Sequence, residues 1–357
     1  MALNLESSSS ERTRSATEKY NVAVVGATGA VGEAMLSLLA EREFPIDNIV
    51  ALASARSAGK RLRFNGRSLQ VETLADFDFS NTDIALFSAG GSISAEHVPR
   101  AAAAGCVVID NSSHFRYDSN VPLVVPEVNV HALGAQAGII ANPNCSTIQM
   151  VVALKPIYDA VGIERINVCT YQAVSGAGRR AIEELAAQTA ALLNGKDAEV
   201  QTMPARIAFN AVPQIDNFQE NGYTKEEMKM VWETRKIFAD DSIQVNATTV
   251  RIPVFYGHSE AVHIETRGKI SADHARELLE HADGVTVMDD RSPGGYPTAA
   301  VDAAHRDEVF VGRIREDISH ERGLNLWIVA DNIRKGAALN SVQIAEHLIK
   351  RYLSSMT

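Results

Sequence analysis

Short apolar runs joined by small-residue loops and helical-period stretches fill the first part of the chain, and longer strand-like runs follow. Residues 21–25 form a compact apolar strand, Gly26-Ala27-Thr28-Gly29-Ala30-Val31-Gly32 comes next, and an amphipathic helix runs on through Ala40. Further apolar strands are expected near 49–53, 84–87 and 107–110, with a helix over about 93–104. Buried strands linked by helices imply a parallel sheet wound on both faces, with ligand sites at the carboxyl ends of its strands. Residues 148–160 are apolar at nearly helical spacing. Beyond them the runs 166–173, 248–255, 261–266 and 324–330 are richer in β-branched and aromatic residues, which predicts a mixed or antiparallel sheet with helices against one side. A last helix, 339–353, puts Val342, Ala345, Leu348, Ile349 and Tyr352 on one face and is expected to pack back onto the first unit. The expected fold is therefore α/β, a Rossmann-type parallel sheet domain (21–144, completed by 336–357) with a second α+β domain (145–335). Residues 1–20, polar and Ser-rich, read as a flexible tail.

Composition narrows the function classes. With 357 residues, 46% hydrophobic and 22% charged, the chain suits two globular domains, and no apolar run reaches membrane-span length. A net charge of -10 argues against a nucleic-acid partner, because phosphate neutralisation needs clustered cations. Cys106, Cys145 and Cys169 are too scattered for a disulfide framework or a metal knuckle, so we expect no metal site and a reducing, cytoplasmic setting. The tail has no apolar signal segment.

The candidate chemistry centres on Asn142-Pro143-Asn144-Cys145-Ser146-Thr147, a loop that opens a helix. Asn144 or Ser146 can cap that helix, leaving Cys145 where backbone N–H groups point outward. The positive end of a helix and a nearby imidazolium lower a thiol pKa, so Cys145 is expected to be a reactive thiolate. In the glycine loop, Gly26 permits the turn, Gly29 lets backbone approach a pyrophosphate, and Gly32 allows close helix–strand packing. The second strand lacks the acidic residue that suits a ribose 2′-hydroxyl and is followed by Ser54, Arg56, Ser57, Lys60 and Arg61, which favours NADP over NAD.

Other positions stay open on pattern alone. Arg116 follows a strand end and is either a surface cation or a phosphate holder. Gln172 ends a strand before Ser175-Gly176-Ala177-Gly178, a turn that lets backbone approach a ligand. Thr224 to Glu227 reads as a capping box, leaving Glu226 and Lys229, three apart on one helical face, as a surface pair or as groups facing a charged substrate. Arg251 and His258 are an odd number apart, with Pro253 and Gly257 breaking the strand between them. His258 is an acid/base candidate or a structural histidine. Gln343 on the last helix either reaches a nicotinamide or is an ordinary helix glutamine.

On these motifs together, in this order, the chain resembles the aspartate-β-semialdehyde dehydrogenase family over all but the tail. The resemblance implies NADPH-dependent, reversible reduction of L-aspartyl 4-phosphate to L-aspartate 4-semialdehyde and phosphate, in lysine, threonine, methionine and diaminopimelate biosynthesis. It implies Cys145 as nucleophile through a thioester, His258 as acid/base, Gln172 orienting the acyl group, and Asn144 supporting the nucleophile. Arg251 would hold the α-carboxylate, Glu226 the α-ammonium, and Arg116 with Lys229 the phosphate. Thr28, Gly29, Ala30, Val31, Arg56, Ser57, Ser175, Gly176, Pro204 and Gln343 would contact NADP, beside Gly26, Gly32 and Ser54. The second domain would also make a homodimer, in some members a tetramer. The rivals are a related acyl-phosphate reductase, such as N-acetyl-glutamyl-phosphate reductase, and an inactive paralogue that only binds. Glu226 speaks against the former and Cys145 with His258 against the latter.

Overall fold

The computed structural model describes residues 19–354. Seven strands make the first sheet: β1 (Tyr20–Val25), β2 (Ile46–Ala53), β3 (Arg61–Phe64), β4 (Arg67–Thr73), β5 (Ile84–Phe87), β6 (Val107–Asp110) and β7 (Ile139–Ala141). Their spatial order is β3-β4-β2-β1-β5-β6-β7, parallel except for β3 against β4. The chain runs outward from β1 on one side and resumes at β5 on the other, so the switch point lies between their carboxyl ends. Burial on both faces explains why β1 reads as a continuous apolar run. Val22 and Val24 face a core shared with helices α1 (Ala30–Glu41) and α8 (Leu339–Ser354), while Ala23 and Val25 face the core under α2 (Gly91–Ala103).

Two expectations about this unit need correction. The strand begins at Tyr20, one residue inside the expected tail: its N–H donates to the Pro45 carbonyl at 2.8 Å and the residue is buried. Residues 1–18, like the side chain of Tyr352, lie outside the described residues. The sheet is not wholly parallel, because Asn65 and Gly66, with φ of 45° and 75°, turn β3 back along β4. An Asn-Gly pair between alternating residues is the usual signal for such a hairpin.

A short helix α3 (Pro126–Asn129) leads to α4 (Cys145–Val161), which belongs to the core of the second unit. That unit holds β8 (Ile163–Gln172), α5 (Arg179–Leu193), α6 (Lys225–Phe238), β9 (Gln244–Arg251), β10 (His258–Thr266), α7 (Ala272–Glu280), β11 (Val285–Val287), β12 (Val309–Glu316) and β13 (Gly323–Ala330). The sheet order is β11-β12-β13-β10-β8-β9, with mixed directions. Strand alternation sends Ile166, Val168, Val262, Ile264, Leu326 and Ile328 into a core with α4, α6 and α7. Cys169, Tyr171, His263 and Trp327 point to the opposite, half-exposed face. The strand expected over 248–255 stops at Arg251: Gly257 has a φ of 86°, and the Pro253 segment turns the chain out of the sheet. The last helix returns as expected, with Val342, Ala345, Leu348 and Ile349 in the first unit's core. Among the described residues no helix is long and apolar enough to cross a membrane.

Candidate active site

Strand direction brings the separated candidates to one edge of the second sheet. Strand β9 runs parallel to β8, so Gln172 and Arg251 pair at their shared carboxyl end, while antiparallel β10 starts at the same edge with His258. The odd spacing between Arg251 and His258 is thus immaterial, since they lie on different strands flanking β8. Arg251 Nη1 donates to the Ala173 carbonyl at 2.8 Å and to Gln172 Oε1 at 3.4 Å. Gly176 passes close above them, and a Cβ there would lie 2.9 Å from Arg251 Nη1 and 3.4 Å from His258 Nε2.

Cys145 is the first residue of α4 and is half-buried. Of the two possible caps Asn144 is the one used: its Oδ1 accepts from the N–H groups of Ser146 (3.0 Å) and Thr147 (3.3 Å). Its Nδ2 donates to Glu226 Oε1 at 2.9 Å, and its backbone N–H donates to Glu233 Oε2 at 2.6 Å. Gln172 Nε2 reaches Ser146 Oγ at 3.0 Å and Glu226 Oε1 at 3.3 Å. A ring of buried side chains therefore fixes the thiol's loop on three sides.

The charged groups follow from helix periodicity. On α6, Glu226, Lys229 and Glu233 lie three and four apart and share the face turned toward α4. Lys229 Nζ donates to Glu226 Oε2 at 2.9 Å and Asp216 Oδ2 at 3.0 Å. Burial alone would raise the Glu226 carboxyl, but Lys229, the Asn144 amide and Arg251 hold it at about 2. Arg116 is buried against Glu233 at 2.9 Å, with Nη2 on the Asn111 carbonyl at 2.8 Å. The capping box at Thr224 and Glu227 is formed in both directions, so Glu227 serves the helix and Glu226 is left for the site.

The surroundings favour neither the expected thiolate nor an imidazolium. Burial, with Glu226 adding to it, pushes the Cys145 thiol up to about 12, although Arg251, Arg116 and Lys229 pull the other way. Burial and the Arg251 charge drop His258 to about 3. Its Nδ1 accepts from the Ala173 N–H at 3.1 Å, which puts the neutral ring's proton on Nε2, an atom with no hydrogen-bond partner among the described residues.

One cleft of about 460 Å³ joins this centre to the first sheet's switch point. Its lining runs from Val31, Ser88, Gly90 and Gly91 to Cys145, Gln172, Gly176, Glu226, Lys229 and Arg251. The start of α1 at Ala30 and the start of α2 at Gly91 both open on it. Gly26 (φ 79°) brings the loop so close to Ser88 that a Cβ would overlap the Ser88 carbonyl oxygen. Thr28, Gly29, Ala30 and Gly32 complete the turn. At the end of β2, Ser54 and Arg56 are exposed and no carboxylate follows, whereas Ser57 is buried.

The family model described as the semialdehyde dehydrogenase NAD binding domain matches residues 21–136, and that of the semialdehyde dehydrogenase dimerisation domain matches 154–335. An aspartate-semialdehyde dehydrogenase of Legionella pneumophila is 63% identical, covering 94% of this chain and 98% of that one. The chain belongs to the aspartate-semialdehyde dehydrogenase family. Aspartate semialdehyde dehydrogenase II of Vibrio cholerae, solved in complex with ASA, superposes with a TM-score of 0.92 at 62% identity, over 94% of this chain and 99% of that one. The Candida albicans aspartate semialdehyde dehydrogenase, solved with NADP, gives 0.73 at 25% identity over 93% and 98%.

Of the positions that the family resemblance assigned to NADP, Val31, Ser175 and Gly176 line this cleft, and two of the others have different surroundings. Gln343 is held by other partners, its Oε1 accepting from Lys335 Nζ at 2.7 Å and its Nε2 donating to Glu127 at 2.9 Å. Pro204 is exposed beside Met203, whose side chain packs with Ala181, Leu185 and Ile207 in a separate small core. Ser175 lines the cleft and is itself buried, its Oγ donating to Asn332 Oδ1 at 3.1 Å; the same Asn332 oxygen accepts from the Gly257 N–H at 3.0 Å. Sequence reasoning missed Glu233, Asp216 and Asn332. For Glu233 a signal existed, a carboxylate seven residues after Glu226 on the same helical face. Asp216 and Asn332 lie in loops, where spacing carries no directional information.

Proposed function

We propose that this chain catalyses the reversible, NADPH-dependent reductive dephosphorylation of L-aspartyl 4-phosphate to L-aspartate 4-semialdehyde, a step toward lysine, threonine, methionine and diaminopimelate. The observation that carries the reading is the set of charges around one thiol in one cleft: an ionised carboxylate, Glu226, with the cations Arg251, Arg116 and Lys229. A substrate bearing an ammonium, a carboxylate and a phosphate finds one opposite charge for each.

The glycine-loop turn, the two helix starts at the cleft and the basic, acid-free end of β2 fit an NADP dinucleotide, held by residues 26–32 with Ser54 and Arg56 at the 2′-phosphate. When bound, the reduced cofactor supplies a hydride to the acyl carbon. Cys145 Sγ forms the C–S bond as the C–O bond to phosphate breaks, and the thiol proton leaves on the phosphate, which Arg116 and Lys229 neutralise. The thioester formed on Cys145 splits one difficult reduction into two easier steps. His258 holds a proton on Nε2 in its resting tautomer and so donates to the acyl oxygen as negative charge builds there. As the carbonyl re-forms, the C–S electrons return to sulfur and solvent restores the thiol proton. Gln172 and Asn144 hold the acyl group and the nucleophile's loop in register.

The half-exposed face of the second sheet suits a homodimer, consistent with the match to a dimerisation domain, and pairing of dimers would give a tetramer. Three unpaired cysteines accord with a cytoplasmic enzyme. An N-acetyl-glutamyl-phosphate reductase is disfavoured because an acetylated amine would leave the buried Glu226 charge without a cation of the substrate. Phosphate-dependent oxidation of L-aspartate 4-semialdehyde, followed with NADP and then NAD, tests the reading. Activity on N-acetyl-glutamate 5-semialdehyde instead, or on neither aldehyde, refutes it.

A further inference from the structure

The return of the chain from the second unit to the first carries a buried charge pair that the chemistry above leaves unused. The π-helical turn Arg334–Ala338 presses Gly336 onto the nucleophile, where a Cβ would lie 2.7 Å from Cys145 Cβ. Its neighbour Lys335 is 1% exposed. Lys335 Nζ donates to both oxygens of Glu127 (2.8 and 2.7 Å), to Asn340 Oδ1 (3.1 Å) and to Gln343 Oε1 (2.7 Å). Glu127 lies on α3, and that segment divides between the two cores: Val125 and Val128 belong to the second, Val124 and Leu133 to the first. The pair thus ties the outgoing crossing between the units to the returning one.

From this clamp a chain of hydrogen bonds leads to the thiol's loop. Asn340 Nδ2 donates to the Val124 carbonyl at 2.9 Å and to Asn142 Oδ1 at 2.7 Å. Asn142 Nδ2 in turn donates to Asn111 Oδ1 at 3.0 Å, and the Asn111 carbonyl is the one that Arg116 grips. Asn142 stands three residues before Cys145, so the clamp holds one end of the loop while Glu233 holds the other through the Asn144 N–H. For stability alone an apolar pair would serve as well or better, since burying two charges costs desolvation that their attraction barely offsets. An ammonium among four directed acceptors does something that apolar packing does not: it selects one relative placement of its partners.

We propose that the Lys335–Glu127 pair is a positioning device, which fixes the Cys145 loop against Gly336 and sets the two units so that the acyl carbon on the thiol meets the cofactor. It rests on Cys145 being the acyl-accepting nucleophile. Misplacement of reacting groups by about 1 Å costs on the order of 10²-fold in rate, so loss of the device is read in kcat.

The test is the double variant Lys335→Met/Glu127→Leu beside each single substitution, in the full chain. Each single substitution leaves one buried charge unpaired and is expected to lower Tm. The double variant is expected to recover Tm and to bind NADP as the wild type does. Its kcat is nonetheless expected to fall by roughly 10- to 100-fold at nearly unchanged KM. Its rate of Cys145 alkylation by iodoacetamide is expected to change severalfold. Wild-type kcat and alkylation rate in the refolded double variant would make the pair merely structural and overturn the proposal. Should the double variant not fold, the isosteric Glu127→Gln is read in the same way, and unchanged values there overturn it as well. Alkylation needs no turnover, so it judges the clamp even if the wild type proves inactive on the semialdehyde, an outcome that sinks the proposed function instead.

Discussion

Glu226→Gln is the perturbation from which the charge balance of the site can be read most fully. In the folded chain Lys229, Asn144 and Arg251 hold the Glu226 carboxyl at about 2, below its ordinary 4.5. A difference of roughly 2.5 units corresponds to ~3 kcal/mol of stabilisation from the ionised form. The sign follows from the depressed value: this contribution is complete above pH 4.5 and is lost as pH falls toward 2. The variant should therefore be less stable than the wild type at pH 7 and should show a flatter stability profile between pH 4.5 and 2, as measured by urea unfolding at successive pH values. A second effect has the opposite sense. Glu226 is one of the groups raising the Cys145 thiol, so its neutralisation should lower that pKa and quicken iodoacetamide alkylation at pH 8. Wild-type alkylation should rise about tenfold per pH unit from 7 to 10 without a plateau, as a thiol near 12 requires. A wild-type plateau below pH 9, or a variant that alkylates no faster, would refute this account of the thiol.

Three further variants probe the site. Gly176→Ala should lower kcat/KM at least tenfold, because its Cβ would sit 2.9 Å from Arg251 Nη1; steady-state kinetics check it. Glu233→Gln strips the buried Arg116 of its carboxylate partner and should destabilise the fold by ~3 kcal/mol in thermal unfolding. The same variant should weaken phosphate saturation severalfold in the assay. Arg56→Ala should raise KM for NADP by about tenfold while leaving KM for NAD within twofold, since only the 2′-phosphate would lose a partner.

Much of the fold was legible because the cues are local. The glycine loop, with a strand before it and a helix after it, specifies its own turn, and the capping residue Asn144 fixes where α4 starts. Burial on both faces made the parallel strands plain apolar runs, and one-sided burial gave the second sheet its alternation. The Asn65-Gly66 hairpin is equally local.

Chain order and spacing by themselves determined which residue types this protein brings to bear: a thiol at a helix start, a carboxylate and a lysine one turn apart, an arginine and a histidine at strand ends, and a glycine-rich turn between a strand and a helix. Only the tertiary structure decided their states and their neighbours. Strand direction put Gln172, Arg251 and His258 at one edge, and burial kept the thiol protonated and the imidazole neutral where a helix end had suggested otherwise. Packing of α6 on α4 recruited Glu233, and the Lys335–Glu127 pair engaged Gln343. The physical reason is range: propensity and capping act over a few residues, whereas desolvation and charge pairing depend on every group within several ångströms, whatever its place in the chain.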